Sequence, residues 1–218
     1  MPLTDTPEAA VRHNIRGEFP AIDAVCRQLE REIDPNETES LVAFAEILLS
    51  KATREFLNGR SEDALAHIVL GAWRFMQDSR PEHVGVEVFN PEEDKEGWYA
   101  PVTVLRTSIS ERPFIVDTLR EFLHDEALSI EVLIYPVMYV ERNGNGEITS
   151  LRHSADGESR ESLVHCEISR IMDKDARETL RSEVVRRLQD VMRVTDDFHP
   201  LIDAVNSTVV ELAECMGA

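Results

Sequence analysis

Residues 128–148 read LSIEVLIYPVMYVERNGNGEI, and the fold turns on how they are read. Ile130, Val132 and Ile134 fall on one face of an extended chain, and Leu133, Tyr135 and Val137 on the other. This alternation predicts one long strand over 128–141, apolar on both faces at its centre. Pro136 has no N–H to give a ladder, so it belongs at an edge or a bulge. The run Asn143-Gly144-Asn145-Gly146 supplies residues that tolerate positive φ. Val140 and Ile148 should therefore flank a β-hairpin, with 148–153 as the return strand.

Downstream, 154–159 reads as a loop and 163–168 as a further strand. Val164, Cys166 and Ile168 share one face of it; His165 and Glu167 share the other, read as an exposed polar face. A long amphipathic helix follows over 173–194, with Ala176, Leu180, Val184, Leu188 and Val191 on its core side. His199-Pro200 should interrupt it. A last helical stretch carries Leu201, Val205, Val209, Leu212 and Met216.

Upstream, Val84, Val86 and Val88 alternate as in a half-buried strand. Residues 90–97 form a charged loop, and 102–108 are strand-like. Pro113 suits a helical first turn, and Ile115, Leu119, Phe122 and Leu123 stripe that helix to about Asp125. Before residue 82 the period is helical. The candidates are 21–32, 37–57 (Leu41, Phe44, Ala45, Leu48, Ala52, Phe56) and a helix capped by Ser61, with Glu62 and Asp63 in its first turn. None of the three is apolar all round, so each needs a partner surface. The fold class is α+β, an antiparallel sheet covered on one face by two helices. The chain divides as a helical segment 1–82, an α+β domain 83–195, and a tail helix 196–218.

The chain has 218 residues, with 23 Lys+Arg against 42 Asp+Glu and a net charge of −19. That balance speaks against nucleic acid and anionic membrane as partners, since both need cationic surface. No apolar run is long enough for a membrane span. The N-terminus has no apolar core of a secretory signal. Cys26, Cys166 and Cys215 make no CxxC pair, and an odd number cannot pair fully within one chain. A reduced, cytoplasmic compartment is the expectation.

Chemistry is sparse in the sequence. There is no GxGxxG leading into a helix, no GxxxxGK[ST] and no GxSxG. His165 with Glu167 lacks the second spaced pair that would complete a metal site. Glu92-Glu93-Asp94 reads as a solvated loop, Cys166 as a small core residue, and Trp73 and Trp98 as packing anchors. The only lysines are Lys51, Lys95 and Lys174, and none has the setting of an activated amine. No catalytic, cofactor-binding or metal-binding residue is assigned.

One block is more specific: Ser110-Glu111-Arg112-Pro113-Phe114-Ile115-Val116-Asp117-Thr118, then Ile134-Tyr135-Pro136-Val137, then Glu141-Arg142-Asn143-Gly144-Asn145-Gly146. Around it stand Ser61-Glu62-Asp63, Trp73, Arg80-Pro81, Val88-Phe89-Asn90-Pro91, Gly97-Trp98 and Glu161-Ser162. Over about 44–197 the chain resembles the N-terminal region of the very large NAD-specific glutamate dehydrogenases of bacteria. Ile115, Thr118 and Tyr135 depart from that family's leucine, serine and histidine.

The resemblance implies an ACT-like, ferredoxin-like sheet with two helices and no catalytic or NAD-binding part in this segment. NAD would serve the parent enzyme, through domains further along the same polypeptide. It implies a regulatory or assembly segment, in a homo-oligomer, with a small amino-acid effector at the loop Glu111, Arg112, Pro113, Phe114 and Asp117. Phe114 stands where many ACT modules have glycine, and its ring, turned inward, would fill the pocket. A free-standing amino-acid sensor of ACT type is the alternative. A small independent enzyme using Glu111, Arg112 and Asp117 is a third class. It competes with a plainer reading, in which Arg112 makes a loop salt bridge and Asp117 is an exposed helix position.

Overall fold

Caps and prolines set where the first helices begin. The computed structural model describes residues 16–32, 35–153 and 160–216. The N-terminal stretch 1–15 and the loop expected at 154–159 lie outside the described residues, as do the side chains of Leu201, Val205, Val209, Leu212 and Met216. Helix α1 (Pro20–Glu32) buries Ile22, Val25, Cys26 and Leu29. Helix α2 (Pro35–Ser50) opens on proline, which is tolerated where its missing N–H has no helical partner.

The single helix expected over 37–57 is instead two. Thr53 Oγ1 accepts the Phe56 N–H at 3.2 Å and so starts a new helix, α3 (Arg54–Asn58). Within α2, Leu41, Val42, Ala43, Phe44, Ala45, Ile47, Leu48 and Leu49 are all buried. That helix is surrounded by protein rather than amphipathic, which the sequence reading did not anticipate. Helix α4 (Glu62–Asp78) begins as expected, with Ser61 Oγ accepting the Ala64 N–H at 3.1 Å.

The strands are β1 (Gly85–Phe89), β2 (Val102–Ser110), β3 (Ile130–Ile134), β4 (Val137–Arg142), β5 (Ile148–His153) and β6 (Arg160–Ser169). A one-turn helix, α5 (Glu93–Glu96), interrupts the charged loop after β1. The sheet order is β1-β2-β6-β4-β5, with β3 also on β6, and every pair is antiparallel. The expected long strand is broken at Tyr135-Pro136. Its halves lie end to end along one side of β6, β3 against 165–168 and β4 against 160–162. Pro136 still contributes its carbonyl, which accepts the Leu163 N–H at 3.2 Å. The hairpin β4–β5 forms where the Asn-Gly pairs place it.

Two helices cover one face. They are α6 (Ile115–Asp125), between β2 and β3, and α7 (Lys174–Met216), after β6. Leu105, Ile109, Val164, Cys166 and Ile168 pack there against Leu119, Phe122, Leu123, Val184 and Leu188. The opposite face is also covered. Val104, Leu163, Ile134, Met138, Ile148 and Leu151 share a core with α1–α4. The sheet is thus the middle of three layers rather than the floor of two. A ferredoxin-like unit would return a fourth strand after its second helix to the free side of β2. Here β1, which precedes β2, holds that place. The interruption expected at His199-Pro200 is absent, and α7 runs through it as one helix. Losing one donor costs about 3 kcal/mol, which the rest of a long ladder can carry.

Candidate functional site

The loop between β2 and α6 holds the five residues singled out from sequence. Glu111 accepts a hydrogen bond from Tyr135 O–H at 2.6 Å, which ties the loop to the break between β3 and β4. Burial, and then Glu111, push the Tyr135 hydroxyl well above the ordinary phenol range. Arg112 reaches α7, donating to Thr195 Oγ1 at 3.2 Å and pairing with Asp196. Pro113 and Asp117 are exposed.

Phe114 has φ of 73° and ψ of 1°, and it is 62% exposed. Its ring points to water rather than filling a pocket, contrary to the inward orientation considered from sequence. The left-handed backbone explains both observations. It is the conformation a glycine would hold there, and it aims the side chain away from the helix that follows.

The densest chemistry lies on the sheet face beneath α1–α4. His165 is 0% exposed and Glu167 1%. The exposed polar face expected for this pair is corrected: the helical layer covers it. The β2–β6 register sets Arg106 directly opposite His165. Arg106 Nε donates to His165 Nδ1 at 3.2 Å, and Arg106 Nη1 donates to Glu87 Oε1 at 2.8 Å. His165 Nε2 lies 3.4 Å from Glu167 Oε1, whose Oε2 receives Arg60 Nη2 at 2.5 Å. Arg60 also stacks on Phe56, 3.9 Å from the ring centroid, and Phe56 meets His165 edge to face.

This geometry fixes a proton. A guanidinium can only donate, so Nδ1 of His165 must accept and the ring is the neutral Nε2–H tautomer. Electrostatics agree. Burial holds His165 below the ordinary imidazole range, and Arg106 adds to it against the pull of Glu167. Burial would raise Glu167, but its hydrogen bond to His165 and the nearby Arg60 outweigh it and keep the carboxyl low. Two guanidinium groups face two carboxylates across a neutral ring, so the set, buried at Arg106, His165 and Glu167 and partly exposed at Arg60 and Glu87, carries no net charge. Burial of a charge is tolerable only on such terms.

A second tie joins the hairpin to α4. Arg142 makes two hydrogen bonds to Glu161, at 2.8 and 2.7 Å, and donates to Met76 O at 3.0 Å. Arg80 donates to Asn145 O at 3.1 Å. A third closes the end of β1: Asn90 accepts from Thr103 Oγ1 at 2.6 Å and donates to Ile171 O at 3.0 Å. Arg80, Asn90, Arg142 and Glu161 all belong to the motifs quoted from sequence. Their observed work is to hold elements together.

Trp73 and Trp98 are buried anchors, as expected. Cys26 and Cys166 are buried, and burial pushes both thiols up to about 12, which suits inert core residues. Among the described residues, no group of three or more His, Cys, Asp or Glu is placed to hold a metal ion. No helix among them is long and apolar enough to cross a membrane.

A cleft of about 540 Å³ opens at the β1 side of the sheet, between α4, α5 and α7. Arg106 forms part of its wall, and Gly71 of α4 lets the guanidinium approach. A Cβ at Gly71 would sit 3.1 Å from Arg106 Nη1. None of the five loop residues lines this cleft. Sequence reading missed Arg60, Glu87 and Arg106. The only available signal was a polar residue inside each of two apolar strands, and nothing in the sequence sets their register.

An antiparallel sheet with α6 and α7 on one face and β1 in the fourth-strand place defines an α+β domain of ACT-like form. Residues 44–184 match the family model described as "Glutamate dehydrogenase, ACT1 domain", and the chain belongs to that family. It is 25% identical over 188 residues to the NAD-specific glutamate dehydrogenase of Halomonas elongata, an alignment covering 85% of this chain and 12% of that protein. To the NAD-specific glutamate dehydrogenase of Pseudomonas aeruginosa it is 28% identical over 176 residues, covering 79% and 11%. The chain therefore spans 11–12% of the length of the curated relatives it matches. No solved structure matches it.

Proposed function

We propose that this chain is the noncatalytic N-terminal regulatory and assembly segment of a large NAD-dependent glutamate dehydrogenase. The parent enzyme would oxidise L-glutamate with NAD to 2-oxoglutarate, ammonia and NADH in the cytoplasm, with NAD bound by domains further along the polypeptide. The observation that carries this reading is the ACT1-domain match over 44–184, in relatives that use only 11–12% of their length to cover the chain. The physical role is that of a rigid three-layer block whose remaining open surfaces meet downstream domains and other subunits. The loop of Glu111, Arg112, Pro113, Phe114 and Asp117 is the proposed seat of a small amino-acid effector. Its outward Phe114 leaves the backbone at the start of α6 open to approach.

The test is direct. The 218-residue chain is incubated with L-glutamate and NAD, and NADH is followed optically. No NADH above the blank is expected, and any turnover contradicts the noncatalytic role. Calorimetry of the same chain against single amino acids tests the effector loop. Heat that disappears in Arg112→Ala is expected. No heat with any amino acid at millimolar concentration removes the effector and leaves assembly alone.

A further inference from the structure

The cleft at β1 has an unusual lining. It touches residues 86, 87, 88 and 89 in succession, and it also touches His67 of α4 and Arg181 of α7. Successive strand side chains point to opposite faces. A cavity confined to one face would meet every second residue. One that meets four in a row, and helices from both outer layers, must wrap the outer edge of the strand. A second cavity of about 480 Å³ shares Val88, Phe89, Lys95 and Glu96 and carries the trough on past Asn90.

Among the described residues that edge has no partner within the sheet, because β1 ends the strand order. At the other end β5 packs against α2, much as β1 packs against α7, and there the Ile148 N–H is also taken by Gln77 Oε1 at 3.0 Å. Exposed edges are usually blunted by lysine, proline, a bulge or an inward charge. Residues 85–89 carry one of these devices, the inward charge of Glu87 turned onto Arg106, and no lysine, proline or bulge. The rest of the strand is Gly85, Val86, Val88 and Phe89, and its ladder to β2 is regular throughout.

We propose that the free edge of β1 is a strand-addition site that receives an extended segment from the remainder of the parent polypeptide. This rests on the reading of the chain as part of a longer enzyme. A segment is preferred to a second copy because a β1–β1 pair across a twofold axis centred on the strand would set Glu87 against Glu87; residues of α4, α5 and α7 wall the trough. The walls also state the partner's chemistry. Glu96 and Asp78 both add negative potential at Glu87, whose carboxyl burial already holds above the ordinary range. Apolar side chains would meet Val86, Val88 and Phe89, while the walls carry both signs, Asp78 and Glu96 beside Arg74, Lys95 and Arg181, so a charged side chain of either sign finds a partner there. Main-chain hydrogen bonds would supply the rest, as in other strand-addition complexes.

Amide hydrogen exchange tests this on the native full-length protein and on the 218-residue chain side by side. Peptides covering 84–90 should exchange about tenfold or more slowly in the full-length protein. Peptides covering 160–169, already central in the sheet, should exchange alike in both and so control for global stability. Equal rates at 84–90 overturn the proposal. So does a native protein that ends at residue 218, since the two samples are then identical. Glutamate oxidation is assayed on the same full-length sample. Protection without that activity overturns the dehydrogenase reading and leaves the edge site standing. Activity without protection does the reverse.

Discussion

His165 sits where a strand, its neighbour and a covering helical layer converge, and its protonation state follows from one donor. Arg106 Nε gives its hydrogen to Nδ1, so a second proton on the ring would break that bond and leave an uncompensated positive charge in the interior. The unfolded ring titrates near about 6.5, and the folded ring lies lower. The unfolded chain therefore takes up more protons as pH falls through about 6.5, and stability present above that value is lost toward the folded value. Glu87 is shifted up and titrates in the opposite sense, so the comparison is between two chains that share it. His165→Asn keeps an acceptor for Arg106 and should cost about 1–3 kcal/mol near pH 7.5. It should also flatten the loss of stability between about pH 7 and pH 5 seen in the parent chain. Urea unfolding at several pH values measures both effects. A variant with the parent's pH slope would show that His165 is not the group responsible. At Phe114, the left-handed backbone costs about 1–2 kcal/mol for a non-glycine residue, and the exposed ring returns little burial. Phe114→Gly should therefore raise stability by up to about 1 kcal/mol after the added chain entropy of glycine. A loss larger than that would mean the ring packs on something.

Elements with strong local chemistry were legible before the structure. Ser61 begins α4, the two Asn-Gly pairs turn the hairpin, and β5 has the bounds read for it. What failed was set by distant partners. Thr53 divides a helix whose apolar stripe ran through it unbroken, because a cap is a local hydrogen bond that periodicity does not register. His165 and Glu167 looked like a solvated face because alternation in one strand cannot say whether the second face meets water or another layer. Of the candidate loop, the residues were found and their ties were not. Arg112 reaches α7 some 80 residues away, and Glu111 takes a hydroxyl from the far side of β6's ladder. The hairpin offers an element-scale test. Gly146 has φ of 84°, and Arg80 occupies the space a Cβ would take. Gly146→Ala should destabilise by about 1–2 kcal/mol from the backbone alone, with more from displaced Arg80. Gly144 has open space around it and no left-handed backbone, so Gly144→Ala should be close to neutral. Thermal unfolding of the pair gives the answer, and equal losses would contradict the assigned turn.

At the scale of the whole molecule, the described residues form a sheet covered on both faces, with the outer edge of β1 unpaired among them. Two apolar cores lie either side of it, and the neutral set of Arg60, Glu87, Arg106, His165 and Glu167 joins the helical layer to the strands. In the proposed regulatory or assembly role, a block of this kind would transmit position between the parts it joins. Its net charge of −19 keeps free copies apart at low salt, so association should come through defined contacts rather than general adhesion. The most direct measurement is made on the full-length enzyme with and without residues 1–218, by analytical ultracentrifugation together with an NADH assay. The account predicts that removal changes the oligomeric mass or the substrate-concentration dependence while glutamate-dependent NADH formation persists. Unchanged mass and kinetics, or chemistry lost from a correctly assembled enzyme, would contradict it.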